Sequence, residues 1–116
     1  MKRLIIAGGR EFSDYPLLRS TLDHLLQNHE HITIVSGAAR GADKLGEAYA
    51  CERNHEIAMY PADWNTHGKS AGYKRNELMA DNADWLMAFW DGQSRGTKHM
   101  IDIATRKGLQ VKVHHY

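Results

Sequence analysis

At 116 residues the chain has the length of one domain, spanning 1–116, with enough residues for a hydrophobic core that needs no disulfide or metal staple. Apolar residues at 42% and charged residues at 25% exclude a disordered chain and are ordinary for a soluble globular one. The 15 basic and 14 acidic residues are intermixed and leave a net charge of +1, so no overall field recruits a nucleic-acid polymer or an anionic membrane.

Arg3 to Ala7 is a short apolar, β-branched run that stops at Gly8-Gly9, the pattern of a buried strand and its terminal turn, with Arg10 hanging over that turn. Four apolar residues after Met1-Lys2-Arg3 are too few for a signal-peptide core, and no run reaches membrane-spanning length, so a cytoplasmic protein without a membrane partner is expected. Asp14 or Tyr15 caps a first helix with Pro16 at its start and Leu17, Leu18, Leu22, Leu25 and Leu26 as its apolar stripe. Asn28 to His31 ends it.

Ile32 to Asp43 reads as a second buried strand stopping at a glycine turn that opens a helix. Gly37 and Gly41 let such a turn close and approach a ligand, and the first amides of the following helix carry the positive end of its dipole. The turn is therefore expected to offer unfilled donors to an anion, although it matches neither the dinucleotide fingerprint nor the P-loop. The helix carries Ala42, Leu45, Ala48, Tyr49 and Cys51, and the place of Cys51 in that apolar pattern predicts a packed thiol. A lone cysteine forms no internal disulfide, which fits a reducing compartment.

Ile57 to Tyr60 is a third strand broken by Pro61, and Asp63 to Gly72 is expected as a long polar loop of the functional kind. A third helix from about Tyr73 to Asn82 precedes Trp85 to Trp90, a strand apolar on both faces and therefore expected at the centre of a sheet. Asp91 to Thr97 is a second glycine-bearing turn, followed by a helix with Met100, Ile101, Ile103 and Ala104 that stops at Gly108. Leu109 to Val113 closes the chain as strand five. Strands alternating with helices, without hairpin signals, predict an α/β fold: a single Rossmann-like domain whose five-stranded parallel sheet has helices on both faces. Ligands of such sheets lie at the strand carboxyl ends, where strand order reverses, and four unusual loops fall there.

Gly8-Gly9-Arg10 with Phe12 and Asp14, Val35 to Asp43, Pro61-Ala62-Asp63-Trp64, Gly68-Lys69, Ala71-Gly72 with Arg75-Asn76, and Gly96-Thr97 together resemble the YspA-type branch of the SLOG superfamily. The resemblance spans nearly the whole chain. It implies a Rossmann-like domain related to the Lonely Guy phosphoribohydrolases and DprA, and a nucleotide-type small-molecule ligand such as a nucleoside phosphate, ADP-ribose or an NAD-like molecule. In the Lonely Guy enzymes the last glycine turn supplies a glutamate that works with an arginine of the preceding helix in hydrolysing an N-glycosidic bond. Here Met100 stands in the glutamate's place while Arg75 matches the arginine. A thioether neither moves a proton nor stabilises an oxocarbenium-like centre, so the chemistry is lost or moved to another acid, with Arg75, Glu77 and Asp91 as the catalytic candidates. Ala38 replaces a glycine usual in the YspA-type loop.

The expected ligand-binding set is Gly8, Gly9, Arg10, Ser36, Gly37, Arg40, Gly41, Asp43, Trp64, Lys69, Arg75, Asn76, Gly96 and Thr97. Arg40 precedes a helix start, where a cation opposes the dipole unless an anion is present, which favours phosphate contact. Asp43 is read first as a group that satisfies first-turn amides and second as a ribose contact. Trp64 is equally a base-stacking platform and a packed lid residue. Thr97 is read as a cap that can also serve a ligand. His99, His114 and His115 form no i, i+4 pair with a carboxylate, so no metal is expected, and no cofactor is required. The resulting expectation is a sensor or sequestering protein for a nucleotide-derived ligand, open to homo-oligomerisation, with an N-glycosidic hydrolase as the alternative. A DprA-like nucleic-acid module is the third reading, disfavoured by the missing basic stripe.

Overall fold

Five short strands pair in parallel into one sheet of order β3-β2-β1-β4-β5: β1 Arg3–Gly8, β2 Thr33–Ser36, β3 Glu56–Met59, β4 Trp85–Trp90 and β5 Gln110–His115. The computed structural model describes residues 2–116. Because side chains alternate across a strand, β1 serves both faces. Leu4 and Ile6 pack with Met87 and Phe89 of β4 under α1 Tyr15–Leu25 and α2 Ala42–Arg53. Ile5 and Ala7 pack with Val35, Leu86 and Ala88 under α4 Ala71–Asp81 and α5 Arg95–Arg106. The α/β fold with a parallel sheet and helices on both faces is thus the one expected. The strand expected at the centre, β4, lies inside the sheet between β1 and β5, and β1 holds the middle position.

Two expectations are corrected. The stretch taken as a polar loop folds into α3 Trp64–His67 and a 3-10 turn Gly68–Ser70, and α4 begins at Ala71, two residues early. The reason is local: the Asp63 carboxylate accepts from the Thr66 amide at 3.1 Å and caps a helix that has no apolar stripe to announce it. Cys51 is exposed. The buried side of α2 runs through Ala42, Gly46, Tyr49 and Ala50, and Cys51 falls a further 100° round the helix.

The strand order reverses between β1 and β4, since β2 and β3 extend the sheet one way and β4 and β5 the other. Register brings Gly8 opposite Phe89 at the carboxyl end of this pair. A side chain at Gly8 would begin 2.6 Å from the Phe89 carbonyl oxygen and 2.7 Å from the Ala42 Cβ. No heavy atom stands within 4 Å of the corresponding point at Gly96, in the first turn of α5. Gly8→Ala is therefore expected to destabilise by about 2–3 kcal/mol, as overpacking against backbone does. Gly96→Ala is expected to be neutral or to stabilise by up to about 1 kcal/mol. Urea unfolding of both variants checks the pair, and equal effects would contradict the packing described.

Candidate functional site

The loops that leave β1, β2 and β4, together with α3 and the starts of α4 and α5, enclose a crevice of about 460 Å³ at the switch point. A second cavity of about 330 Å³ adjoins it and shares Arg10, Ala39, Trp64 and Arg75. Of the residues expected from sequence, Gly8, Gly9, Arg10, Asp43, Trp64, Lys69, Arg75, Asn76, Gly96 and Thr97 line the first cavity. Gly37 and Arg40 line the second.

Ser36 and Gly41 stand behind the walls. Ser36 is fully buried and donates to Glu47 Oε2 at 2.6 Å while accepting from the Ala38 amide at 3.1 Å, so it braces the turn rather than reaching a ligand. Gly41 takes φ 81° beside the Gly9 and Arg10 carbonyls, a conformation and an approach that admit no side chain. Ala38 has φ 62°, which accounts for glycine being usual at this place and leaves an alanine in the left-handed region.

Three amides at the turn after β2 are already engaged within the protein. The Ala38 amide is taken by Ser36 Oγ, the Ala39 amide by Asp43 Oδ2 at 3.2 Å, and the Ala42 amide by the Gly9 carbonyl. Asp43 therefore serves the loop ahead of α2 rather than first-turn amides of the helix. Likewise the cap of α5 is Ser94, whose Oγ accepts from the Thr97 amide; Thr97 is buried and shares a hydrogen bond with Ser94 Oγ at 3.0 Å.

Positive charge also reaches the crevice on side chains. Arg75 is partly buried, donates to the Gly37 carbonyl and, through Nε, to Asn76 Oδ1 at 3.0 Å. Burial pulls its pKa below the usual value, the Asp43 carboxylate works against that, and Arg10 adds repulsion. Arg10 and Lys69 line the same cavity with no hydrogen bond or ion pair among the described residues. Arg40 is held at the rim by Glu11 at 2.8 Å, with 72% of its side chain exposed.

The acids divide sharply. Asp91 accepts from the amides of Gln93 and Ser94, which hold its carboxyl below the usual range. Glu77 is exposed on α4 and lines neither cavity, so the crevice does not include it. Asp43 is only 8% exposed, and burial pushes its carboxyl up to about 6 despite the Ala39 hydrogen bond and Arg75. Met100 is buried and lines the crevice where its thioether was expected.

Some lining residues carried no recognisable signal. Tyr73 and Tyr116 are exposed aromatic walls, Tyr73 tilted against His99 at 4.5 Å and Tyr116 against Phe12 at 4.9 Å. Ser94 could have been found as a capping residue three places before Thr97. Trp64 is 52% exposed, with its ring edge 3.6 Å from where a Gly72 side chain would begin, so it overhangs the crevice and is not packed away.

The model of the YspA, cpYpsA-related SLOG family matches residues 2–67, the half of the chain that contains Gly8-Gly9, the turn with Gly37 and Gly41, and α3. The chain belongs to this SLOG family. Among curated proteins it is similar to the Gene 61 protein of Mycobacterium phage D29, with 35% identity over 118 residues covering 96% of this chain and 94% of that one. No solved structure matches significantly. The SLOG match stops at 67, so Lys69, Arg75, Asn76, Gly96 and Thr97 join the crevice on the strength of the fold.

Asp43 makes the stability of this SLOG protein depend on pH. Its folded pKa of about 6 exceeds the ordinary 3.8, so the native state holds the proton more tightly than the unfolded chain. This contribution is full below about pH 4 and fades as pH rises to about 6, a loss of up to about 3 kcal/mol. Asp43→Asn, which keeps an acceptor for Ala39, should therefore gain on wild type between about pH 4 and pH 7. Urea unfolding at the two ends of that window decides it, and parallel pH profiles would contradict the assignment.

Proposed function

We propose that the crevice binds a nucleotide or nucleotide-derived ligand, such as a nucleoside phosphate, ADP-ribose or an NAD-like molecule, and that the protein acts as its sensor or sequestering partner. One observation carries the reading: Arg10 and Arg75 repel each other across a shared cavity, and Arg10 has no counter-ion among the described residues. Unpaired like charges in a concave site are costly, and an anion between two guanidinium forks removes that cost with charge-assisted, planar hydrogen bonds. Lys69 adds a third cation, and the exposed ring of Trp64 offers a face on which a base stacks.

Family membership supports a nucleotide-related ligand in general, and the position of the crevice at the switch point agrees with it. Binding is favoured over base cleavage because Met100 puts a thioether in the crevice where the related hydrolases have a glutamate, while Asp91 is tied into its own turn.

Nucleoside monophosphates, ADP-ribose and NAD at millimolar levels are expected to raise the melting temperature, since a ligand at about 100 times its Kd adds some 2.7 kcal/mol. Arg10→Ala should cost about 1.5–3 kcal/mol of binding by calorimetry. Arg40→Ala should cost less, because Glu11 already holds that side chain at the rim. A panel without any stabilising member would overturn the proposal.

A further inference from the structure

The place where an anion would be drawn in already holds a carboxylate of the protein's own. Asp43 Oδ2 takes the Ala39 amide at 3.2 Å. The same oxygen and Arg75 Nη1 crowd one point, lying 2.8 Å and 2.5 Å from where a Gly37 side chain would begin. Arg75 gives two of its five donors to the Gly37 carbonyl and Asn76 Oδ1, and its charge faces Asp43 without forming a hydrogen-bonded pair. The other Asp43 oxygen accepts no hydrogen bond from the described residues, in a residue that is 8% exposed and lines the crevice.

We propose that Asp43 is an internal competitor for the ligand's anion: its ionised carboxylate occupies the cradle formed by Arg75, the Ala39 amide and the Gly37 turn, so a bound anion and an ionised Asp43 exclude one another. This rests on the crevice being an anion site. It follows that the crevice takes up a proton as it takes up an anion, because a second negative charge beside a buried carboxylate favours the carboxylic acid. Asp43 thereby sets which charge the crevice accepts at a given pH. Once protonated, it has a hydrogen to donate to the anion through the oxygen that no described residue engages.

The charged groups that act on Asp43 are Arg75 from α4 and Lys44 and Glu47 on its own helix, with Glu47 also accepting from Ser36, while Arg10 of the β1 loop acts on Arg75. From α5 the nearest lining side chains, Thr97 and Met100, are uncharged. His99 is one step further off, its Nδ1 at 3.2 Å from Asn76 Nδ2, and burial holds its pKa below the usual value. Any contribution from His99 survives in an Asp43 variant and can be subtracted.

Sulfate is the probe, because its charge does not change between about pH 5 and pH 8. Calorimetric titration of wild type and Asp43→Asn should show wild-type affinity falling about tenfold or more from the lower pH to the higher. The variant should bind at the higher pH about as tightly as wild type does at the lower. A merely structural Asp43 would not make its own replacement a better binder. Wild-type affinity that is flat with pH, or a variant weaker than wild type at the higher pH, overturns the proposal. If neither protein binds sulfate while nucleotides still stabilise the fold, the competitor is refuted and the nucleotide site stands; if nucleotides fail as well, both fall.

Discussion

The Gly9 carbonyl accepts two backbone hydrogen bonds, from Phe12 at 3.2 Å and from Ala42 at 3.3 Å, and the geometry of the crevice follows from that knot. It binds the turn after β1 to the first residue of α2, so two loops that leave neighbouring strands become one wall. Such an approach is open only to residues without side chains. Gly8 stands against Phe89 and Ala42, and Gly41 against the carbonyls of Gly9 and Arg10. The Gly9 knot places Arg10 over the switch point and aims it at Arg75, which reaches the same cavity from the far side of the sheet.

A consequence is that backbone and side chains divide the work differently from a P-loop. There the amides of a glycine turn cradle the phosphate. Here Ala38, Ala39 and Ala42 have their amides engaged by Ser36, Asp43 and Gly9, and in the proposed function the guanidinium groups of Arg10 and Arg75 take the anion. Those three bonds brace the turn, and a braced loop costs less to order on binding. Its drawback is the carboxylate of Asp43, which satisfies Ala39 but sets a negative charge in a cavity otherwise suited to anions.

The sheet was legible because parallel strands are buried on both faces and write themselves as uninterrupted apolar runs, such as Trp85 to Trp90. The loops at the carboxyl ends were legible as glycine punctuation. What escaped was information that only the third dimension carries. The helix α3 lies on the surface with no buried residue, so no periodicity marks it, and Asp63 alone nucleates it. Cys51 looked packed because its neighbours Tyr49 and Ala50 are, although a single step round the helix turns it to solvent. Arg75 was recognisable from its motif, but its opposition to Arg10 joins residues from opposite halves of the chain. The partner of Asp43 is an amide four residues upstream, where sequence suggested the helix that follows.

The central claim is positional: a phosphate-bearing nucleotide sits between the loops of β1 and β4, held by Arg10 and Arg75. Amide and arginine side-chain NMR of the labelled protein, titrated with the nucleotide that most raises the melting temperature, tests it directly. The account predicts shifts concentrated at Gly9, Arg10, Ala39, Gly72, Arg75 and Gly96, with the Trp64 indole moving alongside them. Shifts concentrated instead at the opposite end of the sheet, around His29, His31 and Asp84, would contradict it.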